Sequence, residues 1–503
     1  MHSENRLHRV LGPIGLTSLG VGAIIGTGIF VLVGKAAHDT TGPALMLSFV
    51  VAGLACIFAA LCYAEFSSMV PVSGSAYTYA YATLGEMFAW IIGWDLVLEY
   101  SVAAATVAHG WSKYFQDFIK LFDWKVPPLL ADSPYRFALV KETINGVETE
   151  VHKFVPTGAL FDLPALLISL AVTVVLVIGI RQTAWFNSSM VVVKVGIVLF
   201  VIAVGSFYVD PENWTPFAPF GYGGMTFFGW DPWAGPEPRP ANAPPVGMLA
   251  GASMIFFAYI GFDSISTHSE EAKNPQRDLP IGIIASLIIC TLLYIAMAAV
   301  LTGMVPYDKI NVDAPVSNAF EQIGLTTARY IISFGALCGI TSVLLVMMLS
   351  QPRVLLAMAR DGLIPPDFFG AVHPVFRTPH RATILTGVFV AAMSSLLPLE
   401  VLADLVNIGT LLAFVIVCAA VLIMRRTNPE APRPFKVPLV PLIPILGIVF
   451  CLALMFALPW YNWVRLAVWL GIGFVIYFGY GMRNSNVSNW KPGQNPPAAP
   501  VAE

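Results

Sequence analysis

Residues 22–30 read Gly22-Ala23-Ile24-Ile25-Gly26-Thr27-Gly28-Ile29-Phe30, three glycines in seven positions of an apolar stretch, 12–35, long enough to cross a membrane. Glycine costs about 1 kcal/mol in a helix interior relative to alanine, so a helix here is prone to unwind. A second apolar stretch, 246–268, carries Phe256-Phe257-Ala258-Tyr259-Ile260-Gly261-Phe262-Asp263, a glycine and then a carboxylate at similar depth. Backbone unwound in lipid is intolerable unless it lines a polar cavity, where its free N–H and C=O groups can bind something. Glycines also serve tight helix packing, and the first stretch alone leaves that alternative open. Interruptions in corresponding places of two halves count against it, because such pairs mark a transporter's central site.

Composition sets the solvent around these segments. The chain has 503 residues, 57% hydrophobic and 11% charged, and its mean hydropathy is +0.74. A soluble protein carries roughly 25% charged residues, so most of this chain must be solvated by lipid, which excludes a large soluble enzyme. The net charge of −3 gives no basic field for nucleic acid. Apolar runs recur near 12–35, 43–69, 86–112, 161–180, 186–208, 246–268, 281–303, 327–352, 382–398, 401–424, 438–458 and 463–482, about twelve transmembrane helices. The ninth and tenth runs are the least clearly divided, because 382–398 is short and close to the next. With the N-terminus inside, fifteen Lys and Arg fall on the cytoplasmic side and eleven outside, so both termini are expected in the cytoplasm.

The chain then divides into a cytoplasmic N-terminus (1–11), a first five-helix unit (12–208, with a long extracellular loop at about 119–160), a second five-helix unit (246–424), two further helices (438–482) and a tail (483–503). The first run has no small-residue cleavage site after it and reads as a retained span. The Pro/Ala-rich tail reads as disordered. Neither long connection, 119–160 or 209–245, suffices for an enzyme domain with its own core. Cys56, Cys62, Cys290, Cys338, Cys418 and Cys451 sit inside apolar runs and read as small core residues. The histidines form no ligand-spaced pair, and no phosphate loop, zinc helix or nucleophile elbow occurs, so no cofactor or metal is expected.

An unwound segment near Gly26 offers an anion the positive end of a half-helix, while freed carbonyls accept from an ammonium. An α-amino acid presents both groups. Lys194 lies in the fifth run, nine residues beyond Trp185 at the cytoplasmic interface, or about 13 Å along a helix. Its stem snorkels over only part of that distance. Burial and nearby carbonyls act in opposite directions on a lysine's proton affinity, so Lys194 is a candidate for gaining and losing a proton during transport. Its expected partners are first-span carbonyls and the hydroxyls of Thr341 and Ser342. Asp95 and Glu99 share a helix face of the third run. Glu99 either senses a cationic side chain, takes part in proton transfer, or is a protonated group bonded to a neighbouring helix; Asp263 is open in the same way. Glu65 reads as packing. Phe30, Trp94, Phe257 and Tyr259 are candidates for pocket walls or for core.

Several strings resemble the amino acid–polyamine–organocation superfamily, and within it a bacterial member of the cationic amino acid transporter family. They are G-A-I-I-G-T-G-I-F at 22–30, C-Y-A-E-F-S-S-M-V-P-V-S-G-S-A-Y-T-Y at 62–79, G-W-D-L-V-L-E-Y at 93–100, F-F-A-Y-I-G-F-D-S-I-S-T at 256–267, E-E-A-K-N-P-Q-R-D-L-P-I-G-I at 270–283 and Q-P-R-V-L-L-A-M-A-R-D-G-L-I-P at 351–365. The resemblance implies an all-α polytopic membrane protein of the leucine-transporter fold, two inverted five-helix repeats plus two C-terminal helices. It implies that a substrate amino acid's carboxylate meets the amides of Gly26, Thr27 and Gly28, and its amino group the carbonyls of Ile24, Phe257, Ala258 and Ile260. In proton-coupled relatives a fifth-span lysine fills the space that sodium occupies in sodium-coupled ones. Lys194 matches that position, with Gly22, Ile25 and Ser342 as its implied neighbours.

The expected function is import of small neutral or cationic L-amino acids by proton symport across a bacterial cytoplasmic membrane. A proton-independent exchanger or facilitator is the nearest alternative, and an amino acid sensor without flux the alternative of another class. The expected partners are substrate, protons and the lipid bilayer; a small membrane subunit is left open.

Overall fold

The structure is a computed structural model and describes residues 11–69, 75–144, 147–179, 181–225, 245–376 and 378–486. Its main elements in chain order are α1 (Pro13–Ile24), α2 (Leu45–Met69), α3 (Ser75–Thr83), α4 (Glu86–Ile119), β1 (Tyr135–Ile144), β2 (Val147–Pro156), α5 (Leu163–Ile178), α6 (Arg181–Gly205), α7 (Met248–Ile255), α8 (Pro275–Met304), α9 (Pro315–Gln322), α10 (Thr326–Arg360), α11 (His380–Leu396), α12 (Leu399–Thr427), α13 (Leu442–Ala457) and α14 (Trp460–Ile476). Most of the expected termini, 1–10 and 487–503, lie outside the described residues, as do 226–244 of the second long connection.

Eight helical stretches among the described residues are long and apolar enough to cross a membrane by length and composition. Shorter apolar helices, α1, α5 and α13, fall on the expected first, fourth and eleventh runs, and the 17-residue α11 on the ninth. The ninth and tenth runs are separate helices because Pro398 intervenes. Leu397 before it is extended (φ −103°, ψ 142°), the conformation that a following proline imposes.

Apolar side chains cover the outer faces, among them Val174, Val192, Leu292, Val388 and Val475, all exposed. Only an apolar solvent suits such a surface. Inside, α4 packs along α10, α2 along α8, and α1 against α8. Aromatic residues fill this core, with Phe30, Tyr63, Trp90, Tyr100 and Tyr114 fully buried. Glu65, read as packing, forms a buried ion pair: its carboxylate accepts from Arg425 Nε (3.0 Å) and Nη2 (2.7 Å) and from the Val437 amide (2.7 Å), tying α2 to α12 and the segment after it.

The long connection after α4 holds an antiparallel hairpin, with β1 and β2 in register from Tyr135↔Pro156 to Ile144↔Val147. It is the one sheet among the described residues and the exception to an otherwise helical chain.

Candidate functional site

Both glycine-bearing segments are interrupted helices. α1 stops at Ile24, Ile25 is extended (φ −72°, ψ 104°), and helix resumes as a π turn over Gly28–Leu32. α7 stops at Ile255, a 3₁₀ turn covers Phe256–Tyr259, Ile260 is extended (φ −60°, ψ 135°), and 3₁₀ turns follow from Asp263. Gly261 has φ 116°, which a side chain disfavours. The breaks touch each other: a Cβ on Gly28 would lie 2.4 Å from Cα and Cβ of Ala258. Glycine here permits backbone to approach backbone, beyond easing the unwinding.

The breaks free polar backbone, as expected of unwound segments. The Ile29 and Phe30 amides both donate to the Gly26 carbonyl at 3.2 Å, so the helix after the break begins there and the amides of Gly26, Thr27 and Gly28 stand at its open N-terminal end. The carbonyls of Ile24 and Ala258 both face the Tyr294 hydroxyl of α8, at 2.9 and 2.8 Å. A phenol has one proton, so it donates to one of them at a time and ties the two breaks together. α4 holds the same region from the other side. Tyr114 donates to the Phe30 carbonyl at 2.7 Å, and Tyr100 donates to the Asp263 carboxylate.

Lys194 on α6 is fully buried. Its Nζ donates to the carbonyls of Gly22 and Ile25, the latter at 2.9 Å, and lies 3.4 Å from Ser342 Oγ. The ammonium thus spans α6, the first break and α10. Thr341, also read as a partner, instead accepts from Trp111 Nε1 at 3.0 Å.

A cavity lies between the breaks, lined by Ala23, Ile24, Gly26, Thr27, Gly28, Ala103, Val107, Phe257, Ile260, Val343 and Met347. Residues 26–28 and walls from α4 and α10 therefore border one space. Of the aromatic candidates only Phe257 lines it. Trp94 stacks on Trp469 at 4.5 Å between ring centroids, and the Tyr259 hydroxyl donates to the Phe49 carbonyl at 2.8 Å. Glu99 does not line it either; its charged and polar neighbours are Asp263, Asp95 and Thr410. Sequence reasoning missed Ala103, Val107, Val343, Met347 and Tyr294, which are ordinary residues of apolar spans and carry no local signal.

Two interrupted helices around a buried cavity, inside a lipid-facing helical bundle, define a membrane permease. The chain belongs to the amino acid permease family, whose model matches residues 11–482, within the amino acid–polyamine–organocation superfamily. It is a transporter and not an enzyme. It is 44% identical to the methylthioribose transporter of Bacillus subtilis (strain 168), covering 95% of each chain. It is 47% identical to the branched-chain amino acid permease BcaP of the same organism, covering 96% of each. The vacuolar cationic amino acid transporter 4 of Arabidopsis thaliana is 38% identical over 85% of this chain and 65% of its own.

Proposed function

We propose that the protein imports neutral aliphatic L-amino acids across a bacterial cytoplasmic membrane by proton symport with alternating access, with Lys194 coupling proton to substrate. The observation that carries this reading is the contact of the Lys194 ammonium with Gly22 and Ile25, backbone on either side of residues that line the cavity. Charge-assisted hydrogen bonds are roughly twice as strong as neutral ones. Loss of the proton weakens the hold of α6 on the first break, so protonation and the shape of the substrate site are linked.

In this reading the substrate carboxylate binds the amides of Gly26, Thr27 and Gly28, and its ammonium binds carbonyls among Ile24, Phe257, Ala258 and Ile260. Each carbonyl has two lone pairs, so Ile24 and Ala258 serve Tyr294 and substrate together. The side chain meets Ala103, Val107, Phe257, Ile260, Val343 and Met347. No charged side chain lines the cavity among the described residues, and an arginine or lysine side chain buried there without a counter-charge is costly. That favours neutral over cationic substrates, in keeping with the branched-chain permease among the relatives.

A second reading follows from the methylthioribose transporter at similar identity. The same apolar wall suits a methylthio group, but such a substrate lacks the carboxylate and ammonium that the breaks suit. The test is uptake of radiolabelled leucine, alanine and arginine into proteoliposomes under an inward proton gradient, with methylthioribose as competitor. Accumulation of leucine and alanine above arginine is the expected result. Exchange that ignores the gradient makes the protein an exchanger, binding without flux makes it a sensor, and suppression of leucine uptake by methylthioribose at low concentration moves the substrate class to thiosugars.

A further inference from the structure

Towards the end of α4, three side chains converge. His109 comes from α4, Asp132 from the segment before β1, and Asp162 from the residue that caps α5, with one ligand-type atom from each within 4.8 Å of the others. No motif announces them, because successive members of the group lie 23 and 30 positions apart. The expectation of no metal rested on sequence spacing, and this group is assembled by tertiary packing.

The distances suit a shared ion better than hydrogen bonds. His109 Nε2 lies 3.7 Å from Asp132 Oδ1, and Nδ1 lies 3.7 Å from Asp162 Oδ2. Both are too long for hydrogen bonding; on the Nε2 edge the 3.7 Å to Asp132 Oδ1 is close to the about 3.3–3.6 Å between two ligands of one tetrahedral zinc, and Asp162 brings a ligand-type atom within 4.8 Å of the other two. Asp162 supplies the second, independent observation. It is wholly buried, its Oδ2 faces the histidine, and that oxygen has no hydrogen-bond partner. Its other oxygen is held by the Ala165 amide (3.0 Å) and the Ser112 hydroxyl (2.6 Å), which fixes the carboxylate's orientation.

The remaining contacts have the form of an outer shell. His109 Nδ1 is 3.2 Å from the Ser394 carbonyl of α11; donation there leaves the Nε2 lone pair for an ion, the usual arrangement of a metal-bound histidine. Asp132 Oδ2 accepts from Lys113 Nζ at 2.8 Å, and its Oδ1 accepts from the Ser133 amide at 2.8 Å. Two carboxylates and one ammonium thus meet around the imidazole. We propose that His109, Asp132 and Asp162 form a binding site for a divalent transition metal, zinc by its ligand chemistry, that ties α4, the loop before β1 and α5 together. Imidazole with carboxylates selects zinc over magnesium or calcium, which take oxygen ligands.

The test titrates zinc chloride, with magnesium chloride beside it, into the purified full-length protein in detergent. It reads the unfolding midpoint and the zinc retained per chain. The wild type is expected to show a saturable zinc-dependent rise that magnesium does not produce. His109→Gln and Asp132→Asn should each weaken the zinc response about tenfold or more. Should the buried His109 variant fail to fold, Asp132→Asn, whose side chain is 25% exposed, gives the same readout. Proteoliposome uptake by Asp132→Asn in zinc-free buffer reports that the transport site is intact. No zinc-dependent rise in the wild type, or an equal rise in wild type and variants, overturns the proposal.

Discussion

Two sets of ionisable side chains are buried in the membrane-spanning part, and they are hydrogen-bonded to different degrees. The Lys194 ammonium meets two carbonyls and a hydroxyl. Across the bundle, Asp95 has neither carboxylate oxygen hydrogen-bonded, and Glu99 and Asp263 each keep one oxygen without a partner among the described residues. A fully satisfied polar set rigidifies its surroundings, whereas a half-satisfied one is costly to hold. The lysine is therefore a fully engaged tie in this conformation, whereas of the carboxylates Asp263 is held by Tyr100 and Asp95 by no hydrogen bond among the described residues. The difference also separates their roles, because the Lys194 partners adjoin the cavity while the carboxylates stand outside its lining.

The strongest way to break that contrast is at the lysine. Lys194→Ala leaves the Gly22 and Ile25 carbonyls buried without their donor, and at about 1–3 kcal/mol each this should lower gradient-driven uptake about a hundredfold. Initial rates in proteoliposomes read this directly. Next is the contact between the breaks. Gly28→Ala places a methyl 2.4 Å from Ala258, strain of about 1–3 kcal/mol that should cost about tenfold in transport, with the protein still monodisperse on a sizing column.

Tyr294→Phe removes the hydroxyl shared by Ile24 and Ala258 but keeps the ring. A KM increase of about threefold to tenfold with a smaller change in maximal rate is expected, since one hydrogen bond contributes about 0.5–1.5 kcal/mol. The smallest effect belongs to the carboxylates. Glu99→Gln should leave the ratio of alanine to arginine uptake unchanged, because Glu99 does not line the cavity. A changed ratio would bring Glu99 into substrate selection and remove the contrast.

The parts legible in the sequence were those whose chemistry is anomalous in lipid. Glycines at mid-span, a lysine deep in an apolar run and a carboxylate after a break all stand out against hydrophobic neighbours, and the structure sets the glycine segments around one cavity and Lys194 against Gly22 and Ile25. The partners of Lys194 came from family resemblance, since spacing alone offered Thr341 as readily as Ser342. Only packing decides that Trp111 takes the Thr341 hydroxyl. The cavity walls were illegible for the converse reason. Ala103, Val107, Val343 and Met347 look like any lipid-facing or core residue, and which face of α4 or α10 they occupy depends on neighbours far along the chain. The β1–β2 hairpin was not read from the sequence, because a long polar connection between spans invites no strand reading.

The central claim is that proton and substrate meet through Lys194. Its most direct test is leucine uptake into proteoliposomes under an inward pH gradient with the membrane potential clamped at zero, wild type beside Lys194→Ala. Accumulation above equilibrium in the wild type, together with none in the variant, is the expected result. Wild-type uptake that only equilibrates, or a variant that still accumulates leucine when the gradient is imposed, would contradict it.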